Sequence, residues 1–487
     1  MNQNLSKIFM SGTLVVIGLL MFVSMMSSGG NIIGKAALYL SILSFILGVL
    51  VPKTSSYIIL ILAGYSDLFK RFLVLDTSIS QLDLVYVLAM APVSLAGIVL
   101  SLLMSGVLRR TLTKSDILRF CICSGVLGAV AVSIFLGGDG LRGLRVLADY
   151  GAFIYLYFAL PILFPSREAL MKYTRAALII FIPVAIYGIW QRLYGLSAFE
   201  LDYLDTGLST ETRQFDDIDF RPFSALDAAS SLAMVCAACM LLSSVLLRAK
   251  LLFPVVGLSL MLLFGLACVL TFTRTGWVCA CAAPFFIFAF RHRSTTLLFY
   301  VGGVTTFLAL VLCSEWFMDN LQGWQADISG EGDYGRSTQA FRVTTLYDRF
   351  LGFSNLKNPD NWTPFGIKGS TVYGEGRFDD TAFSHDAISS FIFNRGYVLA
   401  GVIALGGLIS VIKLHGTILA QPLQQRKYST QIVGTCAALL ISLLAGGYIF
   451  QFPANIFLWI LVCLAANSLA SSGEEYDNAV DESSRRG

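Results

Sequence analysis

LDAASSLAMVCAACMLLSSVLLRAKLLFPVVGLSLMLLFGLACVLTF, residues 226–272, decides the fold class. It holds two long apolar runs, 226–247 and 251–272, parted only by Arg248, Ala249 and Lys250. A helix needs about twenty apolar residues to cross a hydrocarbon core roughly 30 Å thick. A basic turn between two such runs places that turn in the cytoplasm. The stretch therefore reads as a transmembrane hairpin. The same pattern repeats outward in both directions, at 8–26, 36–51, 55–73, 84–108, 117–136, 144–164 and 176–191, then at 276–290, 296–318, 387–412, 431–450 and 454–471. The expected fold is an all-α polytopic membrane protein with about 12–14 transmembrane helices. The segment 55–73 is the ambiguous one, because Asp67, Lys70 and Arg71 crowd its end and would suit a re-entrant helix. The run at 8–26 reads as a retained signal anchor rather than a cleaved signal peptide.

Composition agrees with this reading. Of the 487 residues, 56% are hydrophobic and 13% charged, with a mean hydropathy of +0.72. Soluble chains carry about twice that share of charge. The formal charge of +3 comes without a basic tract that could track a phosphate backbone, so nucleic acid is not an expected partner. All ten cysteines fall in apolar runs, and none offers a disulfide framework in the polar loops. Cys236-x-x-Cys239 lacks nearby partners for a zinc site and reads as helix packing.

Orientation follows from Lys and Arg in short connections. Arg109, Arg110, Lys114 and Arg119; Arg167, Lys172 and Arg175; Arg248 and Lys250; Arg291 and Arg293; and Lys413, Arg426 and Lys427 form five basic groups. The span order puts all five on one side, the cytoplasm. The chain then divides into N-terminal helices over 1–190, an outer loop over 191–225, central helices over 226–318, a large outer loop over 319–386, C-terminal helices over 387–471 and a cytoplasmic tail over 472–487. The large loop far exceeds the usual connection of four to six residues. The apolar spacing of 341–353 within it suggests an amphipathic helix.

Four places on the outer face carry residues fit for chemistry. In DFRPFSALDAASSLA, 219–233, Arg221 and Ser224 precede a helix expected to begin near Leu226. A helix N-terminus favours anions, and an arginine adds a bidentate donor. The plainer alternative pairs Arg221 with Asp217 or Asp219. In LTFTRTGWV, 270–278, Arg274 ends one span one tight turn before the next, with no acidic residue close in sequence. Such arginines face a cavity or an anion, or snorkel to the interface. Arg336 and Arg342 lie in the large loop. The fourth place is His385–Asp386, where a polar loop enters an apolar helix. His385 is one of three histidines in the chain, and the other two, His292 and His415, read as cytoplasmic surface residues. An imidazole there could serve as a general base, or simply be structural. Asp386 could orient it or cap the helix. Together the arginines suit a diphosphate, the histidine suits deprotonation of a hydroxyl, and the membrane-mouth position suits a lipid-linked substrate.

Read in order, RPFS (221–224), FTRTGW (272–277), GRSTQAFR (335–342), TPFGIKG (363–369) and HDAISSFIFNRGYVLAG (385–401) resemble the bacterial O-antigen ligase/polymerase superfamily. The resemblance spans roughly residues 215–415. It implies a membrane glycosyltransferase with a fold similar to the C-type glycosyltransferases and a long periplasmic loop. The implied donor is an undecaprenyl-diphosphate-linked glycan used on the periplasmic side of the inner membrane, with no cofactor and no metal. It implies diphosphate binding by Arg221, Arg274, Arg342 and Arg336, and catalysis by His385 with Asp386. The family usually places Asn where this chain has Asp386. The RPFS wording and the length of the first outer loop look more like the O-antigen and exopolysaccharide polymerases than the ligases that pass glycan to lipid A–core or another acceptor. A glycan acceptor, membrane lipid, a flippase and a chain-length regulator are the implied partners. A transporter of polysaccharide or lipid-linked glycan is the rival of a different class, and a non-catalytic assembly partner is a third. Few charges lie mid-span, Asp149 and Asp227 among them, and no internal repeat is visible, which disfavours the transporter.

Overall fold

Apolar segments of this kind can satisfy their backbone polar groups in hydrocarbon only as helices or as a closed barrel. The computed structural model describes residues 32–76, 81–109, 111–137, 147–206, 220–291, 302–320 without 304, 307 and 318, 353–358, 362–364, and 387–468 without 446. Every regular element among these is helical. They run α1 (Ile32–Leu50), α2 (Pro52–Asp76), α3 (Gln81–Arg109), α4 (Lys114–Gly137), α5 (Leu156–Leu163), α6 (Arg167–Tyr194), α7 (Ala198–Asp205), α8 (Ala229–Arg248), α9 (Pro254–Leu270), α10 (Arg274–Ala289), α11 (Ala387–Arg395), α12 (Tyr397–Ala420), α13 (Leu423–Leu440) and α14 (Ala454–Ser468). Short 3-10 turns at Ala152–Tyr155, Ile441–Ala445 and Tyr448–Phe450 link some of them. Among the described residues, six helical stretches are long and apolar enough to cross a membrane: Leu84–Gly106, Lys114–Val132, Arg167–Tyr194, Ala229–Arg248, Tyr397–Ala420 and Gln425–Leu444.

The helix ends have local causes. Pro52 opens α2 and Pro254 opens α9, at the first-turn position where a missing N–H costs nothing. Ser166 caps α6 by accepting from the Ala169 amide at 3.1 Å. Gly195, at φ 90, ends it. Gly396, at φ 85, separates α11 from α12. The single span expected over 387–412 is thus two helices, broken where only glycine readily takes the required backbone angle. The helix expected from 226 begins at Ala229 instead, because 220–228 is held in another shape.

The core is centred on α8, whose residues are buried on all sides, from Leu232, Ala233 and Met234 through Leu242, Val245 and Leu246. A helix that is apolar all round belongs inside a bundle, and α8 packs against α6, α9, α10 and α13. By contrast α12 turns its apolar side chains outward, with Val402 64% and Leu405 60% exposed. Hydrocarbon is as apolar as leucine, so close van der Waals packing must hold such helices together. Small residues permit it. A Cβ on Gly48 would strike the Ser94 carbonyl, and one on Gly97 would strike the Phe45 carbonyl, so α1 and α3 meet backbone to backbone. Gly434 of α13 meets the Ile287 backbone of α10 in the same way.

The contacts also sort the helix ends. At one end Arg167 lies 3.8 Å over the Tyr428 ring, Gln421 donates to the Ser468 carbonyl at 3.0 Å, and Tyr173 donates to the Ser56 carbonyl at 3.0 Å. His415 belongs to this end. It is buried, with its ring edge-on to Phe290 at 6.2 Å, and is not the surface residue that its basic neighbourhood suggests. The ends of α2, α6 and α9 and the starts of α8, α10 and α11 gather at the other. The segment expected at 55–73 is an unbroken helix of 25 residues, roughly 37 Å at 1.5 Å per residue. The expected span at 8–26, the amphipathic segment up to residue 352 and the C-terminal tail lie outside the described residues.

Replacing Gly97 by valine must push α1 and α3 apart. Overpacking of this kind costs about 1–3 kcal/mol. Valine at Gly125, which has open space around it, is expected to change stability by less than about 0.5 kcal/mol. Thermal unfolding of the two purified variants in detergent compares them directly.

Candidate functional site

The loop Phe220–Ala228 lies between α6 and α8, and its peptide groups are gripped from two sides. Arg71, near the end of α2, is fully buried. One guanidinium nitrogen donates to the Ser224 carbonyl at 2.7 Å and another donates to the Leu226 carbonyl. Its charge stacks over the Phe223 ring at 4.5 Å and faces Tyr203 at 5.6 Å. From the other side, Gln191 of α6 accepts from the Phe223 amide at 3.1 Å and the Ser224 amide at 2.6 Å. Ser224 itself has φ 56, and its hydroxyl donates to the Val184 carbonyl at 2.5 Å. A left-handed angle at a non-glycine residue persists only where surroundings fix it, and here three hydrogen-bonding groups do so.

Gln191 is fixed in turn. Its amide donates to Glu200 of α7, which also accepts from Tyr187 at 2.6 Å and closes a capping box with Ser197. Beside it, Lys70 pairs with Asp227 at 2.7 Å and with Asp67 at 3.3 Å. Burial raises the Tyr203 phenol, so the ring stays neutral where it meets the Lys70 and Arg71 cations. The carboxylates and cations of this cluster come from α2, α7 and the loop, and they tie all three together.

Arg192 joins the loop to the next motif. It donates to the Phe220 carbonyl at 3.3 Å and its guanidinium lies 4.7 Å over the Phe272 ring. Phe272, at φ 53, belongs to the tight turn between α9 and α10. That turn is closed by Thr271 and Trp277, which both donate to the Cys268 carbonyl, at 2.7 and 3.1 Å. Arg274 is the first residue of α10. Gly276, two residues in, lets α10 approach α8 closely: a Cβ there would stand 3.0 Å from the Ala233 Cβ and 3.1 Å from its carbonyl oxygen. The RPFS loop and the TRTG turn are therefore neighbours, and Arg221 and Arg274 are each half-buried beside them.

The start of α11 belongs to the same end. The 441–445 turn packs against both α10 and α11, and a Cβ on Gly447, at φ 66, would stand 2.8 Å from that of Ala387. A piece of the large loop docks on α11. Phe353 and Leu356 bury with Phe393, Trp362 donates to the Leu356 carbonyl at 2.9 Å, and the Tyr397 amide donates to the Thr363 carbonyl at 3.0 Å. His385 and Asp386, directly before α11, lie outside the described residues, as do Arg336, Arg342, Asp217 and Asp219. Of the six expected site residues, Arg221 and Arg274 are thus described and brought to one end.

Sequence reasoning passed over Arg71, Gln191, Glu200 and Arg192 as site-building residues. One signal was present. Asp67, Lys70 and Arg71 stand three and four residues apart at the end of an apolar helix, so they share a face that must turn inward. No family model, no curated protein and no solved structure matches the chain.

Replacing Lys70 by methionine leaves two carboxylates without their buried cation. The expected loss is about 3–5 kcal/mol of stability. The coupling between Lys70→Met and Asp227→Asn in a double-mutant cycle is expected to exceed about 1 kcal/mol. Unfolding of the four proteins in detergent measures both quantities.

Proposed function

We propose that this chain is a membrane glycosyltransferase, a polysaccharide polymerase that joins undecaprenyl-diphosphate-linked repeat units on the periplasmic face of the bacterial inner membrane. The observation that carries the reading is the shared position of the RPFS loop, the TRTG turn and the start of α11 at one end of the bundle. Two half-buried arginines there come from segments more than fifty residues apart, and His385 directly precedes the third element.

In this reading an acceptor sugar hydroxyl attacks the anomeric carbon of the donor glycan. The bond from that carbon to the diphosphate oxygen breaks, and the undecaprenyl diphosphate leaves with both electrons of that bond. Arg221 and Arg274, with Arg342 and Arg336 from the large loop, hold the diphosphate and offset its growing charge. His385 takes the proton of the attacking hydroxyl. Asp386 orients the imidazole or caps α11. The short path between α10, the 441–445 turn and α11 supports the pairing of the arginines with the histidine in one site. The buried charges do not favour a transporter: Lys70 is locked between Asp67 and Asp227 at hydrogen-bonding distances, which suits a structural joint better than an ion path.

His385→Ala, expressed at the native level in place of the native copy, is expected to slow polymerisation about 10²–10⁴-fold. Glycans would then carry single repeat units. Normal-length chains stranded on the carrier lipid would instead indicate a ligase, and an unchanged glycan would remove His385 from the chemistry.

A further inference from the structure

We infer that Arg71 and Gln191 form a peptide clamp that positions Arg221, so that the anion affinity of the site is set by two residues that never touch the anion. The part of this that concerns the anion rests on the glycosyltransferase reading; the clamp itself does not. Arg71 takes two carbonyls of the loop, at Ser224 and Leu226, and Gln191 takes two amides, at Phe223 and Ser224. Between them they satisfy donors and acceptors on both sides of one left-handed residue, Ser224. Arg221 stands three residues before it, with only Pro222 and Phe223 between. Proline fixes its own φ and restricts the residue before it, so Arg221 has an extended backbone preference. Phe223 is buried under the Arg71 guanidinium. Once Phe223 and Ser224 are pinned, little freedom remains for the Arg221 backbone.

The choice of residues at the clamp is specific. A guanidinium presents a rigid planar fork, which suits two carbonyls two residues apart, and its flat face can stack on Phe223 at the same time. An ammonium has the charge but neither the fork nor the face. Gln191 needs both ends of its amide: the oxygen receives the loop amides and the nitrogen donates to Glu200. A glutamate in its place would set two carboxylates together, and a methionine would fill the space without either bond. Glu200, held by Tyr187 and Ser197, therefore acts on the loop through Gln191, and the outer helix α7 becomes part of the support. Arg71 and Gln191 are thus positioning residues.

The test uses the full chain in lipid nanodiscs. Backbone hydrogen exchange by mass spectrometry is read on the 220–228 peptide for Arg71→Lys, Gln191→Met and Arg221→Ala. Binding of undecaprenyl diphosphate is measured on the same samples. Arg71→Lys and Gln191→Met are each expected to speed exchange in 220–228 at least tenfold, leave peptides from the middle of α8 and α10 unchanged, and weaken undecaprenyl diphosphate about tenfold. Arg221→Ala is expected to weaken binding without speeding exchange. Unchanged exchange in both clamp variants would overturn the clamp. Faster exchange with unchanged affinity would overturn the positioning role. If the native protein does not bind undecaprenyl diphosphate at all while the clamp variants speed exchange, the glycosyltransferase reading fails and the clamp stands. Unchanged α8 and α10 peptides separate both results from global unfolding, and the second variant serves if the first does not fold.

Discussion

A fully buried arginine is costly unless its charge is compensated and its terminal nitrogens are hydrogen-bonded, and Arg71 is the point on which this architecture turns. Its guanidinium answers two peptide carbonyls, stacks on Phe223 and lies close to the Lys70, Asp67 and Asp227 cluster. The residues that satisfy it come from α2, α7 and the loop before α8. Removing Arg71 leaves the Ser224 and Leu226 carbonyls without it, and removing Gln191 leaves the Phe223 and Ser224 amides without their acceptor. This interdependence makes one bundle end a rigid platform rather than a set of independent loops. The remainder of the bundle is held by close packing, with glycines such as Gly48, Gly97 and Gly434 bringing backbones together.

Rigidity at that end matters for the proposed chemistry. A site for a developing diphosphate works when its donors are aimed beforehand and need no rearrangement. The RPFS loop is pinned by Arg71 and Gln191. The TRTG turn is closed by Thr271 and Trp277 and pressed on α8 through Gly276. Arg192 bridges them by holding the Phe220 carbonyl and the Phe272 ring together. Two arginines thus come from elements that are each fixed independently and then joined.

Much of this architecture was legible in the residues, and the reason is the solvent. Hydrocarbon leaves a long apolar run little choice but a helix, so the runs at 84–108 and 117–136 coincide with α3 and α4, both long enough to cross a membrane, while those at 276–290 and 454–471 coincide with the shorter apolar helices α10 and α14. What could not be read depends on partners distant in sequence. The helix after RPFS begins at Ala229 and not near Leu226, because Arg71 and Gln191 hold the intervening peptides in another shape. Gly396 breaks the span expected at 387–412, whereas Gly401, Gly406 and Gly407 sit within α12 without effect. Local sequence does not tell such glycines apart. His415 lies in a basic stretch yet packs against Phe290, a contact between helices that charge alone does not foretell. The crowding of Asp67, Lys70 and Arg71, which makes 55–73 ambiguous in the sequence, is an inward face whose lysine meets Asp227.

The central claim is that the Arg221 loop is docked on the end of α6 beneath the Arg71 clamp. A Cβ built on Gly188 of α6 would stand 3.5 Å from the Ser224 Cβ, within the range in which two cysteines can join, once the end of the Leu232 side chain, 2.8 Å from that Cβ, swings aside. The most direct test is oxidation of the Gly188→Cys/Ser224→Cys double variant in native membranes, with the linked peptides identified by mass spectrometry. The account predicts a near-quantitative 188–224 cross-link. Two free thiols in a protein that is otherwise folded would contradict it.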